Sequence, residues 1–92
     1  MQLQIKIFTK PDCPKCHLTK HLFDRSHLDY QEILINPDTD TKAMNQLKAH
    51  GYKSFPVVQV FQSHQMINDW CDFRPDNIKQ LIAQVNGDTH AA

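Results

Sequence analysis

Leu3-Gln4-Ile5-Lys6-Ile7-Phe8 alternates apolar and polar positions, the period-two pattern of a strand with one buried face. The alternation breaks at Thr9-Lys10-Pro11-Asp12. Pro14 then suits the first turn of a helix, where a missing N–H is no loss and φ is already helical. Helix formers run from there to about His27, with Leu18 and Leu22 on one face at i, i+4. A short apolar run within Leu28–Ile35, carrying Tyr30, Ile33, Leu34 and Ile35, suits a strand buried on both faces. Asn36-Pro37-Asp38 signals a second helix, with Asn36 or Asp38 as cap, Ala43, Met44 and Leu47 as its apolar stripe, and Gly51 as its end. Val57–Phe61 is β-branched and apolar and reads as a strand. Gln62-Ser63-His64 would join it to a short strand, Gln65–Asn68, although the turn has no Gly or Asn. Pro75 opens a last helix, whose Ile78, Leu81, Ile82 and Val85 fall at i, i+3, i+4 and i+7. Asn86-Gly87 is expected to end it, leaving residues 88–92 as a flexible tail.

The predicted order is strand, helix, strand, helix, strand, strand, helix. Strands separated by helices are expected to pair parallel, and the last two, joined by a tight turn, antiparallel. The fold class is α/β: a four-stranded mixed sheet with three helices. At 92 residues the chain holds one domain, assigned to residues 1–87.

Composition narrows the function classes. Ten basic and ten acidic side chains cancel, which argues against a general binder of nucleic acid or anionic membrane. No apolar stretch is long enough to span a bilayer, and the N-terminus lacks the continuous apolar core of a secretion signal, so a cytoplasmic location is expected. Three cysteines are a poor fit to a structural disulfide framework. In a reducing compartment, Cys13-Pro14-Lys15-Cys16 reads as catalytic or metal-binding.

The pair sits where a strand hands over to a helix. Unpaired N–H groups and the positive end of the helix dipole favour a thiolate there, and the thiolate is the nucleophile of thiol–disulfide exchange. Cys13, at the helix start, is expected to be the more exposed and to attack; Cys16, one turn in, to resolve. Lys15 and Lys10 would add positive potential. The competing reading is a metal site using Cys13, Cys16, His17 and His21, or a cysteine-based sensor. Zinc asks for four ligands, however, and beyond these only Cys71 and scattered His50, His64 and His90 remain, so no metal ligand is assigned. Pro56 heads an apolar strand, where its missing donor is tolerated. The Phe55–Pro56 bond can be cis or trans on sequence grounds.

Taken together, the Cys-x-x-Cys after the first strand, Pro56 before Val57-Val58 and the element order resemble the thioredoxin-like fold. The length and the short opening strand look like a glutaredoxin. Trp70-Cys71-Asp72-Phe73-Arg74-Pro75-Asp76 is similar to the Trp-Ser-Gly-Phe-Arg-Pro-Asp segment of NrdH-type redoxins, as are Thr9-Lys10-Pro11 and Gly51–Pro56. The resemblance spans about residues 2–85.

It implies a cis Pro56 beside the dithiol, shaping a groove for an extended substrate chain. It implies a monomeric protein-disulfide reductant that needs no bound cofactor beyond the Cys13–Cys16 disulfide. Such a protein takes electrons from thioredoxin reductase and passes them to class Ib ribonucleotide reductase. Lys10, Pro14, Lys15, Phe55, Pro56, Trp70, Phe73 and Arg74 become candidate partner-binding residues. Trp70, Phe73 and Arg74 equally suit a structural reading, in which Phe73 packs under the last helix and Arg74 and Asp76 form a hydrogen-bonded turn at its start.

Two departures stand out. Cys71-Asp72 replaces Ser-Gly, where glycine would permit a positive φ that Asp tolerates at some cost. Cys71 is either a small, partly buried residue or an extra redox-active thiol. Pro14-Lys15 also differs from residues often found between the two cysteines, which bears on the dithiol potential. The alternative function is a glutathione-dependent glutaredoxin. Those proteins usually carry a Gly-Gly segment where Asp72-Phe73-Arg74-Pro75 stands here.

Overall fold

The computed structural model describes residues 3–90, with side chains described as far as Val85. The elements are β1 (Leu3–Thr9), α1 (Pro14–Arg25), β2 (Gln31–Leu34), α2 (Thr41–Ala49), β3 (Val57–Gln62), β4 (Gln65–Cys71) and α3 (Pro75–His90). They form one four-stranded mixed sheet in the order β2-β1-β3-β4. β1 and β2 are parallel; β3 runs antiparallel to both β1 and β4.

The rule that helix-separated strands pair parallel therefore holds for β1 and β2 and fails for β3. The register shows why. Leu34 at the end of β2 faces Thr9, and Val57 at the start of β3 faces Phe8. The chain leaves β2 and enters β3 at the same end of the sheet, so β3 must run backwards. That end is also where β1 hands over to α1.

Period-two alternation divides the core between the two faces of the sheet. Ile5, Ile7, Val58, Val60 and Trp70 face α1 and α3, where Phe23, Ile78 and Leu81 complete one cluster. Val57 faces the other way and packs with Ile35, Leu47 and Tyr52 beside α2.

Four local expectations are corrected. The buried face of α1 is Cys16, Thr19 and Phe23; Leu22 packs only at its margin, and Leu18 is half exposed. β2 is an edge strand rather than one buried on both faces, and Leu34 points largely to solvent. β4 runs on to Cys71, past the predicted end at Asn68, because Val57 and Val58 pair with Cys71 and Trp70. α3 continues through Asn86-Gly87 to His90, so the helix claims the first part of the expected tail; residues 91–92 lie outside the described residues.

The helix 2 signal lies slightly early. Asp40 is the N-cap residue, and its carboxylate instead accepts the N–H of Asn36 at 2.8 Å, closing the turn ahead of the helix. Gly51, at φ +90°, ends α2 as expected, with its N–H on the carbonyl of Lys48 and that of Tyr52 on Leu47.

The β3–β4 turn stores strain. Ser63 (φ 53°) and His64 (φ 66°) both adopt left-handed backbone, which L-residues other than Asn and Asp resist. The double change S63N/H64G is expected to stabilise the fold by about 1 kcal/mol, seen as a rise of about 4–8 °C in a thermal melt. An unchanged melting temperature would show that the turn is relaxed as it stands.

Candidate active site: the Cys13–Cys16 dithiol

β1 ends at Thr9, whose carbonyl accepts the Ile35 N–H at 2.8 Å and ties the strand end to the β2 exit. Asp12 then turns the chain with φ 56°. Cys13 follows as the N-cap of α1 in extended backbone, with Pro14 at the first helical position. Its Sγ accepts the backbone N–H of Cys16 at 3.2 Å. A sulfur thus takes the place that Ser or Asp usually fills at a helix start. Cys13 and Cys16 form a disulfide across a Cα separation of 5.2 Å. Both are buried, Cys13 at 5% exposure and Cys16 at 2%. The difference in exposure has the expected sign but is small; the helix cap is what distinguishes the two sulfurs.

The Phe55–Pro56 peptide is cis, and Pro56 is fully buried. Its carbonyl accepts the N–H of Asp72 at 2.9 Å, joining the loop before β3 to the end of β4. An open groove of about 900 Å³ runs from the dithiol toward α2. Its lining includes Cys13 and Pro14, the apolar side chains of Met44, Leu47, Phe55 and Val57, and Tyr52. The Tyr52 hydroxyl donates to Asp69 at 2.6 Å and accepts from Gln59 at 3.2 Å, so this wall is held from behind. Burial, and then the bond to Asp69, push its ionisation up.

Lys10 lies with its ammonium 5.8 Å from the Phe55 ring centre. Lys15, between the two cysteines, pairs with Asp72 at 2.9 Å, so its charge is not free to act on the sulfurs alone. Asp72 adopts φ 74°, the positive φ that glycine would have supplied. Its carboxyl is held below the usual range, first by Lys15 and then by the N–H of Phe73. Sequence reasoning missed this pair; the Asp in a glycine position was the signal available. Replacing Asp72 by Asn should release Lys15 toward the dithiol. The reduced protein is then expected to react with iodoacetamide about two to three times faster at neutral pH, and K15M about as much slower. Equal rates in all three proteins would show that the pair does not reach the sulfurs.

Other candidates fall elsewhere. Trp70 is buried in the α1/α3 core, and Phe73 packs against the same cluster. Arg74 is exposed and donates from Nε to the Cys71 carbonyl at 3.1 Å, closing the turn before α3 without Asp76, which sits exposed in the first helical turn. Cys71 is a partly buried residue packed beside the α2 cluster. The N–H of Lys53 holds its thiol below the usual range, against partial burial, with Ser54 and Arg74 adding to the effect. Among the described residues, no three His, Cys, Asp or Glu side chains come together as a metal ion would require. Among them, too, no helix is long and apolar enough to cross a membrane.

A capped dithiol at the β1–α1 junction, with a cis proline leading into β3 of a mixed four-stranded sheet, defines a redoxin of the thioredoxin-like class. The glutaredoxin family model matches residues 5–65. The chain is 34% identical over 79 residues to the glutaredoxin-like protein NrdH of Escherichia coli (strain K12), covering 86% of this chain and 89% of that one. It is 32% identical over 81 residues to NrdH of Salmonella typhimurium, with the same coverage. The solved NrdH-redoxin from Escherichia coli superposes with a TM-score of 0.68 at 35% identity, covering 85% of this chain and 93% of that one. The chain belongs to the glutaredoxin family, in its NrdH-type branch, and its Cys13–Cys16 pair makes it a thiol–disulfide oxidoreductase.

Proposed function

We propose that this protein is a cytoplasmic protein-disulfide reductant, reduced by a thioredoxin reductase and donating to class Ib ribonucleotide reductase. The observation that carries the reading is the Cys13 sulfur at the N-cap of α1, bonded by the Cys16 N–H beside an open groove. A backbone N–H and the helix dipole both favour negative charge on that sulfur.

The chemistry balances within the pair. The Cys13 thiolate attacks one sulfur of the substrate disulfide, forming a mixed disulfide and expelling the other sulfur as a thiolate. The Cys16 thiolate then attacks Cys13 Sγ. This closes the Cys13–Cys16 disulfide and releases the second substrate thiolate. Two electrons have left the protein, and the upstream reductase returns them. The pair carries these electrons itself, so the reading asks for no bound cofactor. An extended substrate segment would lie along Phe55-Pro56 and touch Lys10, Pro14, Lys15 and Arg74, with the protein acting as a monomer.

Two points favour a flavoprotein reductase over glutathione as the electron source. The solved Escherichia coli relative is described as having a thioredoxin-like activity profile. Here Asp72-Phe73-Arg74-Pro75 stands where glutaredoxins usually carry a Gly-Gly-containing segment that approaches glutathione's backbone, and Asp72 places a carboxylate beside Lys15. The test supplies NADPH with either thioredoxin reductase or glutathione plus its reductase, and follows reduction of a protein disulfide. Turnover with the first system is expected. Turnover with glutathione alone would reverse the assignment.

A further inference from the structure

The groove beside Cys13 has a charge imbalance that the whole chain lacks. Ten cationic and ten anionic side chains balance over the sequence, yet the groove is lined by Lys10, Lys15, Lys48 and Lys53 against a single carboxylate, Asp12. Lys15 is already matched by Asp72. Lys48, in the last turn of α2, and Lys53, just past Gly51, are both exposed. Among the described residues neither has an ion-pair partner. Met44, Leu47, Phe55 and Val57 give the same groove an apolar floor.

From this arrangement we infer that the groove selects disulfides carried on acidic, extended protein segments. Carboxylates flanking the target cystine pair with Lys48 and Lys53, and with Lys10 nearer the dithiol, while apolar residues of the segment cover the floor. The inference rests on the reductant reading above and adds the chemical class of its substrate. Charges set along a groove raise the encounter rate and fix register more than they add affinity, and salt screens them.

Single-turnover rates of the pre-reduced protein test it without any upstream reductase. Three cystine peptides of equal length are compared, with Asp-rich, Ser-rich or Lys-rich flanks. At low salt the Asp-flanked peptide is expected to react about three to ten times faster than the Ser-flanked one, and the Lys-flanked peptide slower still. The three rates should converge in about 1 M salt, where the screening length falls to about 3 Å. The double variant K48Q/K53Q should bring the Asp-to-Ser ratio close to one. K79Q, which changes an exposed lysine on α3 across the sheet, should keep it. Equal rates for all three peptides at low salt would overturn the inference and leave the reductant reading intact. If none of the peptides reacts, both fall. If K48Q/K53Q slows oxidised glutathione but leaves the peptide ratio unchanged, the lysines serve that small disulfide and the inference is wrong.

Discussion

Replacing Cys13 by Ser is expected to abolish disulfide reduction, and replacing Cys16 by Ser to stop it after one bond exchange. A hydroxyl can neither ionise near neutral pH nor form a disulfide, so without Cys13 the rate should fall to the uncatalysed background. Without Cys16 the attack still proceeds, and the mixed disulfide through Cys13 has no resolving thiol. It should accumulate to about one equivalent, visible as a mass increment that dithiothreitol removes. The asymmetry does not come from exposure, since both sulfurs are buried to within a few per cent of each other. It comes from the helix start, where the Cys16 N–H points at Cys13 Sγ and stabilises charge there. Trapping should persist in C16S/C71S, because Cys71 lies outside the dithiol and its groove lining. A stable adduct on C13S, carried by Cys16, would reverse the two roles.

Replacing Trp70 by Ala is expected to cost about 3–5 kcal/mol of stability. Such a loss is a large part of the total for a domain of this size, about 5–15 kcal/mol. Trp70 is 6% exposed and sits among Ile5, Ile7, Phe23, Val58, Val60, Ile78 and Leu81. Its truncation leaves a cavity that α1 and α3 share. W70F should cost much less, about 1–2 kcal/mol, because it keeps most of the volume and removes an indole N–H that has no partner among the described residues. Denaturant unfolding measures both. A W70A protein with unchanged stability and slowed transfer to its partner would return Trp70 to the docking surface.

The placement of Trp70 marks where sequence reading runs short. A predicted strand end at Asn68 leaves Trp70 in a loop, where packing and partner contact are equally plausible. The β4 pairing of Trp70 with Val58 turns its side chain into the α1/α3 core. Leu18 and Leu22 form a valid helical stripe, yet the helix rolls to bury Cys16, Thr19 and Phe23 instead. Helical periodicity offers several faces, and the sheet beneath chooses one. β3 reverses direction because it enters the sheet at the end where β2 leaves it, a placement that no local pattern encodes. The positive φ of Asp72 was legible, since an Asp stands at the position of the Gly in the redoxin segment that residues 70–76 resemble. Its ion pair with Lys15 was not, because the two residues lie far apart in the chain.

Local chemistry was written in the sequence itself. A proline one residue after a cysteine starts a helix there, and a second cysteine three residues on returns to the same place one turn later. The placement of the dithiol at a helix start, with one sulfur at the N-cap, follows from that short-range geometry. Tertiary structure alone decided what surrounds the pair. It set Pro56 beside the end of β4, matched Lys15 with Asp72, and gathered Lys10, Lys48 and Lys53 along one groove. Those placements depend on β2 leaving and β3 entering at the same end of the sheet. Strand pairing of that kind is settled by the energy of the whole core, not by any one segment.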